Sequence, residues 1–150
     1  MVLDVWKQIK KKQFAPMYLV YGSEPYLIQE TIQKIKENAL TDDEVEFNIT
    51  TFDMEETPVQ FAIEEAETFP FMGERKLIII HNPVFLTAEK AKVEHNIALL
   101  LEYIDNPSPF SIVVFAGNYE KLDERKKITK QLKRKASVVE VKKLKDQELS

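Results

Sequence analysis

The chain has 150 residues, of which 44% are apolar and 31% charged, with a net charge of −4 and no cysteine. This length suits one domain with a sizeable buried core, and the composition excludes fibrous and disordered chains. Disulfides and thiolate metal sites are excluded as well. The N-terminus lacks the basic segment and apolar core of a signal peptide, and no run approaches the roughly 18 apolar residues of a membrane span, so we expect a cytoplasmic protein.

Charge is distributed unevenly along the chain. Residues 121–150 carry about twice as many basic as acidic side chains, whereas the preceding residues carry about twice as many acidic as basic ones. Blocks of charge are usually solvated faces that favour solubility, although a basic segment can also contact nucleic acid.

The first predicted elements are a short helix over residues 4–12 and a buried strand over residues 17–21, separated by Pro16. Gly22 ends the strand, and Ser23 offers an N-cap to a second helix with one apolar face. That face comprises Leu27, Ile28, Thr31, Ile32, Ile35 and Ala39. A strand, a glycine turn and a helix in this order open a βαβ unit.

Residues 46–53 alternate loosely between apolar and polar side chains, which predicts an edge or near-edge strand. The next helix is expected to begin with a capping box formed by Thr57 and Gln60, and to end near Thr68. The acidic residues 42–44 and 64–65 are interpreted as solvated surface.

The most informative stretch is residues 68–80. Its second half, residues 77–80, is a continuous aliphatic run, which predicts a central strand covered on both faces. Its first half places apolar side chains beside Pro70 and Gly73, residues that break regular structure, and therefore predicts apolar groups in a loop or at a helix end. These are Phe69, Pro70, Phe71 and Met72. Such a cluster often marks a binding site, but it could also close the core where helix meets strand.

Four further elements complete the predicted chain. A helix from Thr87 to about Ile104, with His95 on its polar side, precedes a strand over residues 111–117; a helix from Asp123 then precedes a strand over residues 138–141. Alternating strands and helices predict a three-layer α/β fold with a five-stranded parallel sheet. We expect residues 1–141 to form one domain and residues 142–150 to begin a linker.

The turn after the first strand tests whether this α/β fold binds nucleotides. A phosphate-binding loop needs several glycines, a lysine and a hydroxyl residue, whereas residues 22–27 have a single glycine and no lysine. Pro25 also removes one backbone N–H. No carboxylate follows Ile80 directly to hold magnesium. We therefore expect neither ATP hydrolysis nor a bound cofactor, and no catalytic group or metal site is predicted from the two histidines, His81 and His95.

Three segments together resemble the N-terminal domain of the bacterial DNA polymerase III delta subunit, a clamp-loader component. They are residues 17–28 (MYLVYGSEPYLI), residues 69–80 (FPFMGERKLIII) and residues 112–116 (IVVFA). The similarity runs in order through nearly the whole chain. It implies a degenerate AAA+ (P-loop-like) module that has lost ATP binding, in agreement with the gaps found in the turn.

The resemblance also implies a binding site and partners. In this family, two apolar residues just before the central strand wedge into a pocket of the beta sliding clamp, and the matching positions are Pro70 and Phe71. Phe71 matches the family's aromatic residue, whereas Pro70 replaces a leucine seen in some members; Phe69 and Met72 would share the contact. The implied role is to bind and open the clamp for loading onto primed DNA.

The remaining implied partners are the tau/gamma and delta prime subunits, through regions mostly absent here, and DNA, indirectly through the complex. The implied protein is a subunit of the DNA-directed DNA polymerase III holoenzyme without activity of its own. Two alternatives stay open from the residues. One is a nucleic-acid-binding domain that uses Lys126, Lys127 and Lys130 of the basic helix 123–136, and the other is a nucleotide-dependent enzyme, which lacks the required lysine.

Overall fold

Helices and strands alternate along the chain in a computed structural model that describes residues 2–142. The strands are Met17–Gly22 (β1), Ile49–Asp53 (β2), Lys76–His81 (β3), Ser111–Gly117 (β4) and Ser137–Val141 (β5). The α-helices are Val2–Lys10 (α1), Pro25–Ala39 (α2), Asp42–Phe47 (α3), Val59–Glu67 (α4), Ile97–Asp105 (α5) and Lys127–Lys135 (α6). A short 3-10 helix, Val84–Leu86, follows β3.

The five strands form one sheet in the order β2-β3-β4-β1-β5, and every neighbouring pair is parallel. The register places Ile78 opposite Val113 in the pairing of β3 with β4. Because all strands point the same way, they all begin at one edge of the sheet, here called the amino edge, and end at the other, the carboxyl edge. The predicted five-stranded parallel sheet is confirmed.

Helices cover both faces of the sheet, which makes the fold three-layered. Side chains of α1 and α2 pack with Leu77 and Ile79 on one face. Side chains of α4, α5 and α6 pack with Ile78 and Ile80 on the other. Continuous apolar runs such as that of β3 are the pattern expected of strands buried on both faces. β3 is an interior strand as predicted, although β4 occupies the middle position.

Two predicted boundaries were wrong because local side-chain caps begin helices at positions other than those the apolar pattern indicated. The strand predicted over residues 46–53 begins only at Ile49, and α3 precedes it. The predicted helix from Thr87 begins only at Ile97, where the side chain of Asn96 accepts a hydrogen bond from the N–H of Leu99.

The predicted capping box at Thr57 is also absent from α4. The Val59 N–H instead donates to His95 Nδ1 at 2.9 Å, and His95 Nε2 lies 3.1 Å from Met54 O, which makes Nε2 the protonated nitrogen. Burial lowers the pKa of His95, because removing the ring from water disfavours its charged form, although the contact with Met54 O acts in the opposite direction. His95 is therefore a half-buried helix cap, and not a residue on the polar side of a helix.

The last helix also starts later than predicted. α6 begins at Lys127, and Asp123 lies in the preceding turn, where its carboxylate accepts hydrogen bonds from Arg125. The predicted linker over residues 142–150 falls, from residue 143 onward, outside the described residues, so the domain boundary stays a prediction.

The turn from β1 to α2 requires glycine. Gly22 has a φ of +144°, and a Cβ at this position would lie 1.8 Å from Val141 O on the adjacent strand β5.

We expect Gly22→Ala to lower the free energy of unfolding by about 3 kcal/mol or more, because both strain and a backbone clash oppose the methyl group. Denaturant unfolding measures this loss. Gly117→Ala is the matched control: Gly117 is not in the positive-φ region and its nearest atoms belong to the Tyr119 side chain, so a smaller loss is expected. Equal losses in the two variants would contradict the prediction.

Candidate partner-binding tip

Residues 68–75, here called the tip, join α4 to β3 at the amino edge of the sheet. Phe69 is 79% exposed and Phe71 is 89% exposed, whereas Pro70 and Met72 are half-buried. The predicted placement of these four apolar residues in a loop is confirmed. They do not close the core, because the two aromatic rings point into solvent. Large apolar groups exposed side by side are typical of a binding surface.

The backbone of the tip is held by a buried carboxylate from α3. Glu44 Oε2 accepts hydrogen bonds from the N–H groups of Glu74, at 2.7 Å, and Arg75, at 2.8 Å. Its other oxygen, Oε1, accepts from Thr41 N–H at 2.9 Å, which completes a capping box at the start of α3. Glu44 is only 4% exposed, so it does not belong to a solvated face as predicted.

The environment of Glu44 keeps its carboxylate ionised. Burial by itself would raise the pKa of Glu44, but hydrogen bonds from the backbone N–H groups of Thr41, Arg75 and Glu74 outweigh that effect and hold the pKa below its ordinary value of 4.5. A charged acceptor makes stronger hydrogen bonds than a neutral one. The carboxylate therefore fixes the C-terminal half of the tip.

Asn48 and Gly73 complete this attachment. The Asn48 amide Nδ2 donates to the carbonyl oxygens of Met72 and Arg75, the latter at 3.0 Å. Gly73 has a φ of +70°, and a Cβ there would lie 2.5 Å from Glu44 Oε2, so the carboxylate can reach the tip only over a glycine. The two exposed rings are thus carried by a backbone that is bonded to the rest of the domain.

Lys76 fixes the junction of α4 and β3. Its ammonium group donates to Glu65 O at 2.7 Å, to Thr68 O at 3.0 Å and to the Glu65 carboxylate, and the residue is 4% exposed. A cation at a helix C-terminus satisfies carbonyl groups that have no partner within the helix. Glu65, predicted to be solvated, is therefore part of a structural ion pair, whereas Glu64 is exposed.

Sequence reasoning missed Glu44, Asn48 and Lys76. The spacing of Thr41 and Glu44 matches the capping-box pattern, which is a local signal that predicts α3. No local signal predicts that the same carboxylate also binds a loop 30 residues away.

The basic residues considered for DNA contact lie apart from the tip. Lys126 and Lys127 come after β4, which ends at the carboxyl edge, whereas the tip comes before β3, which begins at the amino edge. Lys126 is half-buried and its Nζ donates to Phe85 O at 3.1 Å, while Lys127 and Lys130 are exposed. The structure therefore does not bring these lysines and the tip into one site.

The turn after β1, where α/β proteins often bind phosphate, makes its own backbone contacts. The Ser23 N–H donates to Val141 O at 2.9 Å, and Pro25 occupies the first position of α2 without an N–H. At the same carboxyl edge, after β4, burial raises the pKa of Tyr119 to about 12, and the carboxylates of Glu89, Glu55 and Asp53 add to this increase.

Within residues 2–142, no helix has the length and apolar character needed to cross a membrane. In the same range, no three His, Cys, Asp or Glu side chains are grouped so that they could hold a metal ion.

Comparison with solved structures defines the class of the protein. A DNA polymerase III gamma subunit-related protein from Thermotoga maritima aligns with a TM-score of 0.60 at 11% identity, over 97% of this chain and 47% of that one. A RuvB variant from Thermotoga maritima aligns with a TM-score of 0.54 at 16% identity, over 99% of this chain and 45% of that one. The domain therefore shares the α/β fold of these two proteins.

Comparison of sequences gives the family. Residues 18–142 match the family described as DNA polymerase III, delta subunit, and the chain belongs to that family. It is 51% identical over 146 residues to DNA polymerase III subunit delta of Bacillus subtilis (strain 168), covering 96% of this chain and 42% of that protein. The solved structure of the Bacillus subtilis DNA clamp loader delta protein aligns with a TM-score of 0.94 at 50% identity, over 99% of this chain and 44% of that one. The chain thus spans less than half the length of these relatives.

Glu44→Gln tests the attachment of the tip. The amide cannot accept on both sides as the carboxylate does, so we expect the free energy of unfolding at pH 7 to fall by about 1–3 kcal/mol. The amides of Glu74 and Arg75 should also exchange faster with deuterium. Because the folded pKa of Glu44 is lowered, the stabilising effect of the carboxylate is complete at pH values above its ordinary pKa of 4.5. The effect is lost as the pH falls through the folded pKa. The stability difference between wild type and variant should therefore shrink at acidic pH.

Glu46→Gln is the control for this experiment, because Glu46 lies on the same helix and is exposed. An unchanged exchange rate at Glu74 and Arg75 in Glu44→Gln would show that the carboxylate does not hold the tip.

Proposed function

We propose that this domain binds the beta sliding clamp through its tip and helps to open the clamp during DNA replication, with Phe71 as the main anchor. The observation that carries the proposal is the 89% exposure of the Phe71 ring on a loop whose backbone is bonded to Glu44 and Asn48. Membership in the delta subunit family supports this choice of partner.

The energetics of the tip favour a binding role. Burying one phenylalanine in a partner is worth about 1.5–3 kcal/mol, and a few aromatic anchors can dominate an interface. A loop that is already ordered loses less conformational entropy on binding than a free one. Exposing Phe71 while fixing its backbone therefore meets both requirements for an anchor residue.

The other tip residues have smaller parts in this proposal. Pro70 occupies the position of a leucine seen in related sequences, and its half-buried ring stiffens the backbone beside Phe71. Phe69 and Met72 extend the apolar surface on either side.

Opening the clamp follows from differential affinity. A binding partner shifts a conformational equilibrium only to the extent that it binds one state more tightly than the other. We infer that the tip fits the clamp better when one subunit interface of the clamp is sprung. In this scheme the domain catalyses no reaction, and ATP acts on partner subunits of the tau/gamma and delta prime type. DNA is contacted mainly through the assembled complex, with Lys127 and Lys130 as the exposed lysines that could take part.

Binding to the clamp can be measured by calorimetry or surface plasmon resonance. We expect Phe71→Ala to weaken binding of this chain to its cognate sliding clamp by about tenfold or more, which corresponds to the burial of one aromatic side chain. Phe61→Ala is the matched control, because Phe61 is 54% exposed on α4 and lies outside the tip. The proposal fails if the wild type does not bind, or if the two variants bind equally well while both remain folded.

Opening can be measured separately from binding. Clamps loaded on nicked circular DNA leave it only when the ring opens, so excess wild-type chain should accelerate their release. Phe71→Ala should not, even at concentrations that compensate for its weaker binding, if the anchor also distinguishes the open state. Tight binding by the wild type without faster release would limit the domain to clamp attachment.

A further inference from the structure

A second loop contributes an aromatic ring to the surface around the tip. Phe110 precedes β4, and its ring centroid lies 4.9 Å from that of Phe69, with the planes tilted by 31°. Phe110 is half-buried, whereas Phe69 remains 79% exposed. The contact thus covers one side of Phe69 and leaves the rest of the ring available to a partner.

The two loops are joined by hydrogen bonds as well as by this contact. The Lys76 N–H, directly after the tip, donates to Phe110 O at 2.9 Å. Ser111 Oγ donates to Ala66 O at 2.6 Å, which ties the start of β4 to the last turn of α4. Phe110 therefore sits at a defined position relative to the tip, because its carbonyl oxygen is bonded to the first residue of β3 and the next residue, Ser111, is bonded to α4.

An exposed phenylalanine on a loop samples several side-chain rotamers, and ordering it on binding costs free energy. Ring centroids within about 4.5–7 Å attract each other, so Phe110 holds Phe69 on the side of the tip that faces the loop before β4. The geometry fits a ring that is arranged before the partner arrives.

We propose that Phe110 is a positioning residue that holds Phe69 as a second aromatic anchor beside Phe71, so that the docking surface is built from two loops. This inference rests on the proposed function, because the occupant to which it commits is the sliding clamp. Continuity with Phe71 supports that occupant: Phe69 and Phe71 are two residues apart on the same fixed loop and both point into solvent.

A double-mutant cycle tests the proposal. Clamp binding is measured for the wild type and for Phe69→Ala, Phe110→Ala and the double variant, with thermal unfolding used to confirm that each is folded. We expect Phe110→Ala to weaken binding about two- to tenfold, the range of an aromatic pair interaction. In the Phe69→Ala background the same substitution should have little further effect, because Phe110 acts through Phe69.

Phe110→Leu serves as a second variant, because leucine keeps apolar volume in the loop while removing the ring. It should weaken binding in the wild-type background and not in the Phe69→Ala background. Phe61→Ala again provides the reference for an exposed phenylalanine outside the surface.

The outcomes separate this inference from the proposed function. Loss of binding in Phe71→Ala together with wild-type binding in Phe110→Ala and Phe110→Leu would overturn the role of Phe110 and leave the clamp-binding tip intact. Additive losses from Phe69→Ala and Phe110→Ala would overturn the positioning role as well. Self-association of the wild type that is lost in Phe69→Ala, with no binding to the clamp, would replace the clamp by a second copy of the chain and overturn both proposals.

Discussion

The parallel direction of all five strands is the constraint on which the arrangement of this domain depends. It sends every strand start to the amino edge and every strand end to the carboxyl edge. The tip and the loop before β4 are therefore neighbours, although they are more than 30 residues apart in the chain. The turn after β1, the usual phosphate site of such folds, lies at the opposite edge. The two regions can change independently because the buried sheet separates them.

Three buried polar side chains hold the tip, the loop between α4 and β3, in a defined conformation. Glu44, Asn48 and Lys76 are each at most 4% exposed, and each makes several hydrogen bonds to backbone groups in or beside the tip. Buried polar groups are costly unless they are bonded, so this arrangement is stable only when the loop adopts one conformation. The apolar side chains of the tip then remain exposed, because the backbone that carries them cannot fold back onto the core.

The separation of the tip from the turn after β1 fits the binding role proposed for the domain. Its AAA+-related structural neighbours share the sheet of this domain. In the turn after β1, however, the Ser23 N–H donates to Val141 O, and a proline stands at the start of α2. The free energy available to the domain at the amino edge comes from apolar surface, which is not directional and tolerates a partner that changes shape.

The sequence by itself determined the strands and the apolar character of the tip. β1, β3 and β4 are continuous apolar runs bounded by glycine, proline or charge, and such runs are the pattern expected of strands buried on both faces of a parallel sheet. The loop position of Phe69 to Met72 followed in the same way from Pro70 and Gly73, because these residues act locally.

Only the tertiary structure decided how α4 is capped and how the tip is held. The α4 cap is His95, 36 residues from Val59, and the carboxylate that binds the tip is Glu44, 30 residues from Glu74. Thr57 and Gln60 matched a capping box, yet the Gln60 side chain accepts from the Asn96 N–H and the Thr57 N–H donates to Asp53 O. Hydrogen-bond partners of this kind depend on which loops the fold brings together, and that information is absent from any single stretch of sequence.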